Sequence, residues 1–592
     1  MTTPPRWPAA IPRSTWLLLA IGIASMWCIG ILVRNYWTPD EPREAALALS
    51  MRSTFHALPW FAGEPFAEKP PLGYWLSASA SRVLGEAAAA LRAPQLLYAL
   101  LALAAVIGLG RRAGGALAGW ISGALFATSQ LVYQVQVWLA SDALLLCGVC
   151  VALYGAYAAL ESDTTSRRLA NYLVMFAGCT LAFYAKNLAG LLVPVTTLVC
   201  FLTWERRWRE LRRWELWVGV ALPLACIVPW VLELASATDG AQQLRLLFWN
   251  NLVGRAVTVQ SDALHAYASE HRNWFGKYWL ELLLYALPWT PIVVGALWHA
   301  ARHLFARRRV RGEDSLSKGM RFAFCAAVPG LVVLSLAATA RNIYAAPSMV
   351  GIALLGALWC VNADGSSPAA LRRAVSLSSL LVTAMATLIF ALTLLVQRSA
   401  VAGATSALGA ASLAASAAIA VWAARRAFRR DSGSPARWLL ELSAAYSILM
   451  SLGILALVMS FNRWQDLETL SNQLKPDLAG RPVVLWHPDE TTEAWVEMYL
   501  PGAPALSILG TEANGPDTLR GFLDQHPDAR ILALEHGPAW GWRTWQRYLS
   551  GAGMLPAESD PKLPASDLGL KQWSRIERPG GRAYRVLGRA PA

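Results

Sequence analysis

The chain reads as a polytopic α-helical membrane protein of about thirteen spans with a small C-terminal α/β domain, and three observations predict it. Of its 592 residues, 55% are apolar or aromatic and 15% are charged, with a mean hydropathy of +0.37. A soluble domain carries about 25% charged residues, so an ordinary cytosolic enzyme and a disordered chain are both excluded. Thirteen apolar runs are long enough for a bilayer core of ~30 Å, which takes about 20 helical residues. Basic clusters occupy alternate connections between these runs, as a membrane topology requires.

The runs lie near 16–34, 92–110, 115–137, 142–160, 170–185, 188–204, 214–234, 279–301, 320–340, 343–361, 374–397, 402–424 and 438–461. The first, flanked by Arg6 and Arg13, has no small-residue cleavage site before Tyr36 and is expected to be a retained span. Arg111–Arg112, Arg167–Arg168, Arg206 to Arg213, Arg302 to Lys318, Arg372–Arg373 and Arg425 to Arg437 mark one set of connections. The short connections between them hold the single cations Lys186, Arg341 and Arg398. The positive-inside rule then places the N-terminus in the cytoplasm and the C-terminal domain outside, in agreement with an odd number of spans. The stretch 71–84 is short and ends near Arg82 and Glu86. Counting it as a span would turn the arginine clusters outward, so it reads as an interfacial helix on the outer face.

Two outer connections are long, 35–91 and 235–278, and long loops on membrane proteins commonly carry function. Residues 1–462 form the membrane domain and 463–592 a soluble domain. In the latter, Val483 to Trp486, Arg530 to Leu534 and Ala583 to Leu587 look like strands, with helices near 515–525 and 539–550. The soluble part carries 14 basic and 16 acidic residues, so the net charge of +14 resides in short clusters around the membrane spans. That distribution excludes nucleic acid as a partner. All eight cysteines lie in apolar runs, and the Cys147–Cys150 pair lacks a second pair or a histidine, so both read as packing. The small-residue stretch 402–420 suits close helix packing.

Candidate chemistry gathers at the outer ends of the spans. The first long loop begins YWTPDEPREAALALSMRS (36–53) and continues FAGEPFAEKPPLGYW (61–75). Asp40 stands where it would cap a helix from Pro42; it also stands where a carboxylate could take a proton from an incoming hydroxyl. Lys69 is either a point charge for a phosphate or an ordinary surface lysine. Asp142 opens the fourth span, Lys186 sits in the break FYAKNLAG, and Arg341 and Tyr344 sit in ATARNIYAAP. Ionisable groups beside apolar spans are costly and mark function. Here two acids and four cations, Arg43 included, converge on one face, which suits a lipid-linked phosphate. The second long loop offers His265, His271 and HRNWFGKYW (271–279), whose aromatics also fit an interface belt. There is no HExxH and no Walker motif. In WHPDE (486–490), His487, Asp489 and Glu490 could suggest a site, and the string reads first as a strand-end turn.

In these strings the chain resembles the membrane glycosyltransferases of GT-C architecture. Within them it is similar to the bacterial polyprenyl-phosphate-sugar transferases that include the lipid A 4-amino-4-deoxy-L-arabinose transferases. PDEPR (39–43), EKPPLGYW (68–75), the Asp142 region, AKNLAG around 184–190, the His271 loop and RNIYAAP (341–347) carry the likeness, EKPPLGYW most specifically. The resemblance implies thirteen spans with a periplasmic α/β domain in the bacterial inner membrane. It implies Asp40 and Asp142 as catalytic acids, and Glu41, Arg43, Lys69, Tyr74, Lys186, Arg341 and Tyr344 as substrate-binding residues. A divalent metal ion would fall on Glu68 and His271, with His265 competing. The sequence departs from the aminoarabinose enzymes where they carry Asp-Glu-Thr-Arg-Tyr against Asp40-Glu41-Pro42-Arg43-Glu44, and where glycine follows their lysine against Asn187.

The expected activity is transfer of a sugar, with aminoarabinose the first candidate, from undecaprenyl phosphate to lipid A, with inversion at the anomeric carbon. Two alternatives stay open. A protein hydroxyl or another envelope glycan could accept the sugar, as in protein O-mannosyltransferases. A lipid-linked sugar transporter would instead show repeats and midplane charges; no repeat is visible, and the ionisable groups gather at one face.

Overall fold

The computed structural model describes residues 11–37, 40–253, 273–304, 315–339, 341–398, 406–428, 434–464, 466–500, 505–508, 515–536, 568–577 and 583–589. Among these, ten helices are long and apolar enough to cross a membrane. Two of the ten are each a pair of segments. Ala88–Thr128 reverses at Gly114–Gly115, where Gly115 takes φ +86° and so needs glycine; Ile107 then packs beside Gly123. The other, Thr165–Glu205, breaks after Lys186 at Asn187 (φ +57°) and a 3₁₀ turn, Asn187–Leu191. A further segment, Lys277–Tyr285 followed by Thr290–Leu304, is interrupted around Pro288, which has no N–H to give. With these three splits, the described residues hold a helical segment for each of the thirteen apolar runs.

Ion pairs define the two faces of the bundle. On one face Glu161 meets Lys318 (2.5 Å) and Arg207 (3.8 Å), Arg168 meets Glu215 (3.3 Å), and Arg321 meets Glu205. These groups sit at the ends of five different segments, so the connections rich in arginine do share a side. Asp142, Lys186 and Arg341, at the other ends of their segments, share the opposite side. The helices Ser141–Leu160 and Thr165–Lys186 pack backbone to backbone. A Cβ on Gly148, Gly155 or Gly178 would strike main-chain atoms of Ala182, Met175 or Ala152, so small residues let this pair of helices touch.

On the side of Asp142, the first long loop folds into a helix Asp40–Ser50, a two-residue hairpin (Trp60–Phe61 with Glu64–Pro65) and a helix Leu72–Leu84. The hairpin turns through Ala62 (φ +50°) and Gly63 (φ +83°), the primed-turn geometry that matches strand twist. At 13 residues, Leu72–Leu84 is too short to span. The first helix is described from Asp40 onward, and the Glu41 carboxylate accepts the Trp37 N–H (2.7 Å).

The soluble domain is a five-stranded sheet in the order Ala505–Ile508, Val483–Trp486, Arg530–His536, Ala583–Arg589, Leu570–Glu577. The first three strands are parallel and the last two join antiparallel. Alternation sorts its core: Val483, Leu485 and Leu532 face the helices Leu467–Leu478 and Glu490–Tyr499, while Val484, Trp486, Ile531 and Ala533 face Gly515–Gln525. The helix expected near 539–550 lies outside the described residues. Helix Glu490–Tyr499 also lies on Asp40–Ser50, with Met498 packed against the cluster of Ala45, Ala48 and Tyr74. The Ala62 N–H donates to Glu497 (3.3 Å), so the soluble domain forms a wall beside the loop.

Candidate active site

One buried carboxylate sets the geometry. Glu41 has no exposed surface and accepts from Arg34 (2.6 Å), Arg92 (2.8 Å), Trp37 N–H and the Leu139 N–H (2.7 Å). Arg34 also donates to the Val137 carbonyl (2.6 Å), and Arg92 to those of Arg34 and Asn35. Burial pushes the Glu41 carboxyl up, but the charges of Arg34 and Arg92 outweigh it and hold it below the ordinary carboxylate range. The end of the first span, the loop helix and the chain before Asp142 are thereby tied to one point. Glu41, expected to bind substrate, has its lone pairs engaged within the fold and does not line the cleft described next.

One residue earlier on the same helix, Asp40 faces an open cleft of about 530 Å³, with Arg43, Glu44, Lys69, Asp142 and Arg341 around it and Trp138 and Ile343 beneath. Arg341 Nη2 lies 2.9 Å from Asp40 Oδ2. Glu44 accepts from Lys69 Nζ (2.7 Å), Arg43 Nη2 (3.0 Å) and Tyr74 Oη (3.1 Å). Arg43 Nη1 reaches Glu490 of the soluble domain (2.8 Å). Lys186 Nζ meets Asp142 Oδ1 at 2.5 Å and stands 4.7 Å from the Tyr344 ring centroid, a cation–π distance. Tyr278 donates to the Arg341 carbonyl (3.1 Å), fixing that turn.

The electrostatics keep Arg43 and Lys69 charged. For both Arg43 and Lys69, burial presses the pKa down, and the carboxylates of Glu44 and Glu68 more than restore it. Tyr74 is pushed up by burial and by Glu44, so its hydroxyl stays a donor.

Asp40, Arg43, Lys69, Asp142 and Arg341 thus meet as expected, with Lys186 behind Asp142. Tyr74 and Tyr344 do not line the cleft; they hold Glu44 and Lys186 in place. Glu44 and Glu490 were not among the expected site residues. Glu44 had a signal, since it lies four residues after Asp40 and so on the same helix face. Glu490 stood in WHPDE, read first as a turn, and nothing there joins it to Arg43, because a sheet domain brings it there across more than four hundred residues. His265 and His271 lie outside the described residues, and among those described there is no group of three metal-binding side chains. Glu68 lies in the field of Arg43 and Lys69, which compete with a dication for its charge. Of the expected metal ligands, Glu68 alone falls among the described residues.

Known proteins share this architecture. Residues 68–232 match the family model PMT_2, dolichyl-phosphate-mannose-protein mannosyltransferase. The undecaprenyl phosphate-alpha-4-amino-4-deoxy-L-arabinose arabinosyl transferase of Pseudomonas aeruginosa is 28% identical over 49% of this chain and 52% of its own length. The protein of that name from Erwinia tasmaniensis is 28% identical over 60% of this chain and 61% of its length. The chain therefore spans about half to three fifths of the curated relatives it matches. ArnT from Cupriavidus metallidurans, solved bound to undecaprenyl phosphate and in the apo state, superposes with a TM-score of 0.68 at 17% identity, over 97% of this chain and 98% of that one. Over its whole described length the chain has the fold of that enzyme, and in sequence it resembles the ArnT-like branch of the GT-C glycosyltransferases.

Proposed function

We propose that the chain is a GT-C glycosyltransferase of the bacterial inner membrane, moving a sugar from undecaprenyl phosphate to an acceptor at the periplasmic face, with lipid A the first acceptor and 4-amino-4-deoxy-L-arabinose the first sugar. The observation that carries the reading is the cleft itself: Arg43, Lys69 and Arg341 line it, Lys186 stands behind Asp142, and Asp40 lies among them at the end of the membrane spans. The names of the relatives, and the lipid bound to the Cupriavidus protein, support the donor.

In the reaction the bond between the anomeric carbon and the phosphate oxygen breaks, and its electron pair stays on the phosphate. Charge therefore grows on a group held by Arg43 and Lys69, with Arg341 beside it. Fixed cations in a partly dry cleft stabilise such growth well, and losing one contact costs about 10²–10³ in rate. The acceptor oxygen bonds the anomeric carbon from the opposite side, inverting it. When the acceptor is a hydroxyl, its proton goes to Asp40, whose orientation Arg341 sets. Asp142 holds Lys186 at the rim.

A protein hydroxyl as acceptor is the second reading, favoured by the family model over residues 68–232. Mass spectrometry of lipid A, glycans and glycoproteins from cells with the gene, without it, and with Asp40→Ala separates the two. Loss of a lipid A substituent in the deletion, unrestored by Asp40→Ala, supports the first reading. Loss from a protein with lipid A unchanged supports the second. Full restoration by Asp40→Ala removes Asp40 from the chemistry.

A further inference from the structure

Each cation of the cleft already has a carboxylate: Arg341 has Asp40, Lys69 has Glu44, Lys186 has Asp142, and Arg43 has both Glu44 and Glu490. The lipid phosphate arrives as a singly charged diester and gains a second charge when the sugar leaves, and to reach these cations it must displace one of the carboxylates. They differ in how firmly they are held. The side chains of Glu44 and Asp142 are 3% and 6% exposed, and that of Asp40 is 24% exposed. Glu490 is 52% exposed and reaches in from a different domain. An ion pair so open to water is weak and breaks at little cost.

Arg43 also has capacity to spare. Its side chain is buried, and its Nε has no hydrogen-bond partner among the protein atoms. A guanidinium offers five donors in a planar fork that suits a phosphate's oxygens, and two carboxylate oxygens leave that fork unfilled.

Resting on the transferase reading, we infer that Glu490 occupies the phosphate position of Arg43 in the donor-free protein, and that the lipid phosphate displaces it, so that the soluble domain responds to donor occupancy. Glu490 is the first residue of helix Glu490–Tyr499, next to its cap, Asp489, which accepts the Thr492 N–H (2.9 Å). The far end of that helix is tied down separately, by Met498 in the apolar cluster of the loop and by Glu497 at the Ala62 N–H. Repulsion between the bound phosphate and Glu490 lifts the near end over the cleft while the far end holds. The sheet turn WHPDE thus becomes the part of the soluble domain that meets the donor.

The test uses the full chain in nanodiscs, with undecaprenyl phosphate as the probe and undecaprenol as its neutral control. Glu490→Gln should bind undecaprenyl phosphate about twofold to fivefold more tightly than the unaltered chain, the range an exposed ion pair commands. Amide exchange over residues 490–496 should rise in the unaltered chain when undecaprenyl phosphate is added and not with undecaprenol. If Glu490 only helps to dock the domain, Glu490→Gln lowers thermal stability and binds the lipid equally or less tightly. Equal or weaker binding by Glu490→Gln, or exchange unchanged by the phosphate, overturns the inference and leaves the transferase reading standing. Failure of the unaltered, folded chain to bind undecaprenyl phosphate overturns that reading, and this inference with it.

Discussion

Asp40 and Glu41 are neighbours on one helix turn, about 100° apart around its axis, and that rotation separates chemistry from structure. Asp40 looks into the cleft and pairs with Arg341; Glu41 looks back into the bundle and binds two arginines. Their substitutions should therefore fail differently. Asp40→Ala should leave the melting temperature nearly unchanged and, with a hydroxyl acceptor, lower kcat by about 10²–10⁴, the worth of a positioned base; donor-loaded turnover in detergent measures it. Glu41→Gln should instead strand Arg34 and Arg92 as buried charges and cost about 3–5 kcal/mol, seen as a lost folded peak in size-exclusion chromatography. The string PDEPR announced a charged loop helix but not which carboxylate faces in, because that depends on what Arg92 and Leu139 bring from elsewhere. Glu44 was legible from its spacing to Asp40. Glu490 was not, since the Arg43–Glu490 pair exists only after the soluble domain docks.

Helices Ser141–Leu160 and Thr165–Lys186 carry Asp142 and Lys186 on adjacent ends, so their separation sets that ion pair. Gly178 packs on the backbone of Ala152 and Gly148; Gly178→Leu should force the helices apart, lengthen the Asp142–Lys186 contact, and reduce transfer while the soluble domain stays folded. Parallel assays of turnover and of limited proteolysis distinguish these effects. The spans themselves were legible as apolar runs, because a bilayer permits little else. The edge strand Leu570–Glu577 was not, since its side chains are largely exposed and leave no apolar alternation to read. It is held instead by charge: Arg575 and the neighbouring strand's Arg585 both bind Glu535 (2.8 and 2.9 Å). Hydrogen bonds from Arg585 first, then from Arg575, bring the Glu535 carboxyl from 4.5 to about 2. A carboxyl depressed by folding stabilises the fold fully above its unfolded value and ceases to as pH falls through its folded one. The Glu535 contribution should therefore disappear between about pH 4.5 and about pH 2, and Glu535→Gln should flatten the melting temperature against pH over that window.

For the whole molecule, the two sets of ion pairs make a sidedness argument that composition alone could not complete. Arginine clusters share a face with Glu161, Glu205 and Glu215, while the cleft lies at the other ends of the same helices. Since positive connections stay on the cytoplasmic side, the cleft should open to the periplasm, where a lipid-linked sugar is present and a nucleotide sugar is not. Trp60 lies exposed on the hairpin beside the cleft, and Arg209 lies exposed among the clustered arginines. In a background freed of the native cysteines, Trp60→Cys should react with a membrane-impermeant maleimide once the outer membrane alone is permeabilised. Arg209→Cys should react only after the inner membrane is opened too. The reverse pattern would turn the cleft toward the cytoplasm and remove the reason for a lipid-carried donor. Labelling of Trp60→Cys from the periplasm would place Asp40, Arg43 and Lys69 in the compartment where only a lipid carrier can deliver the sugar.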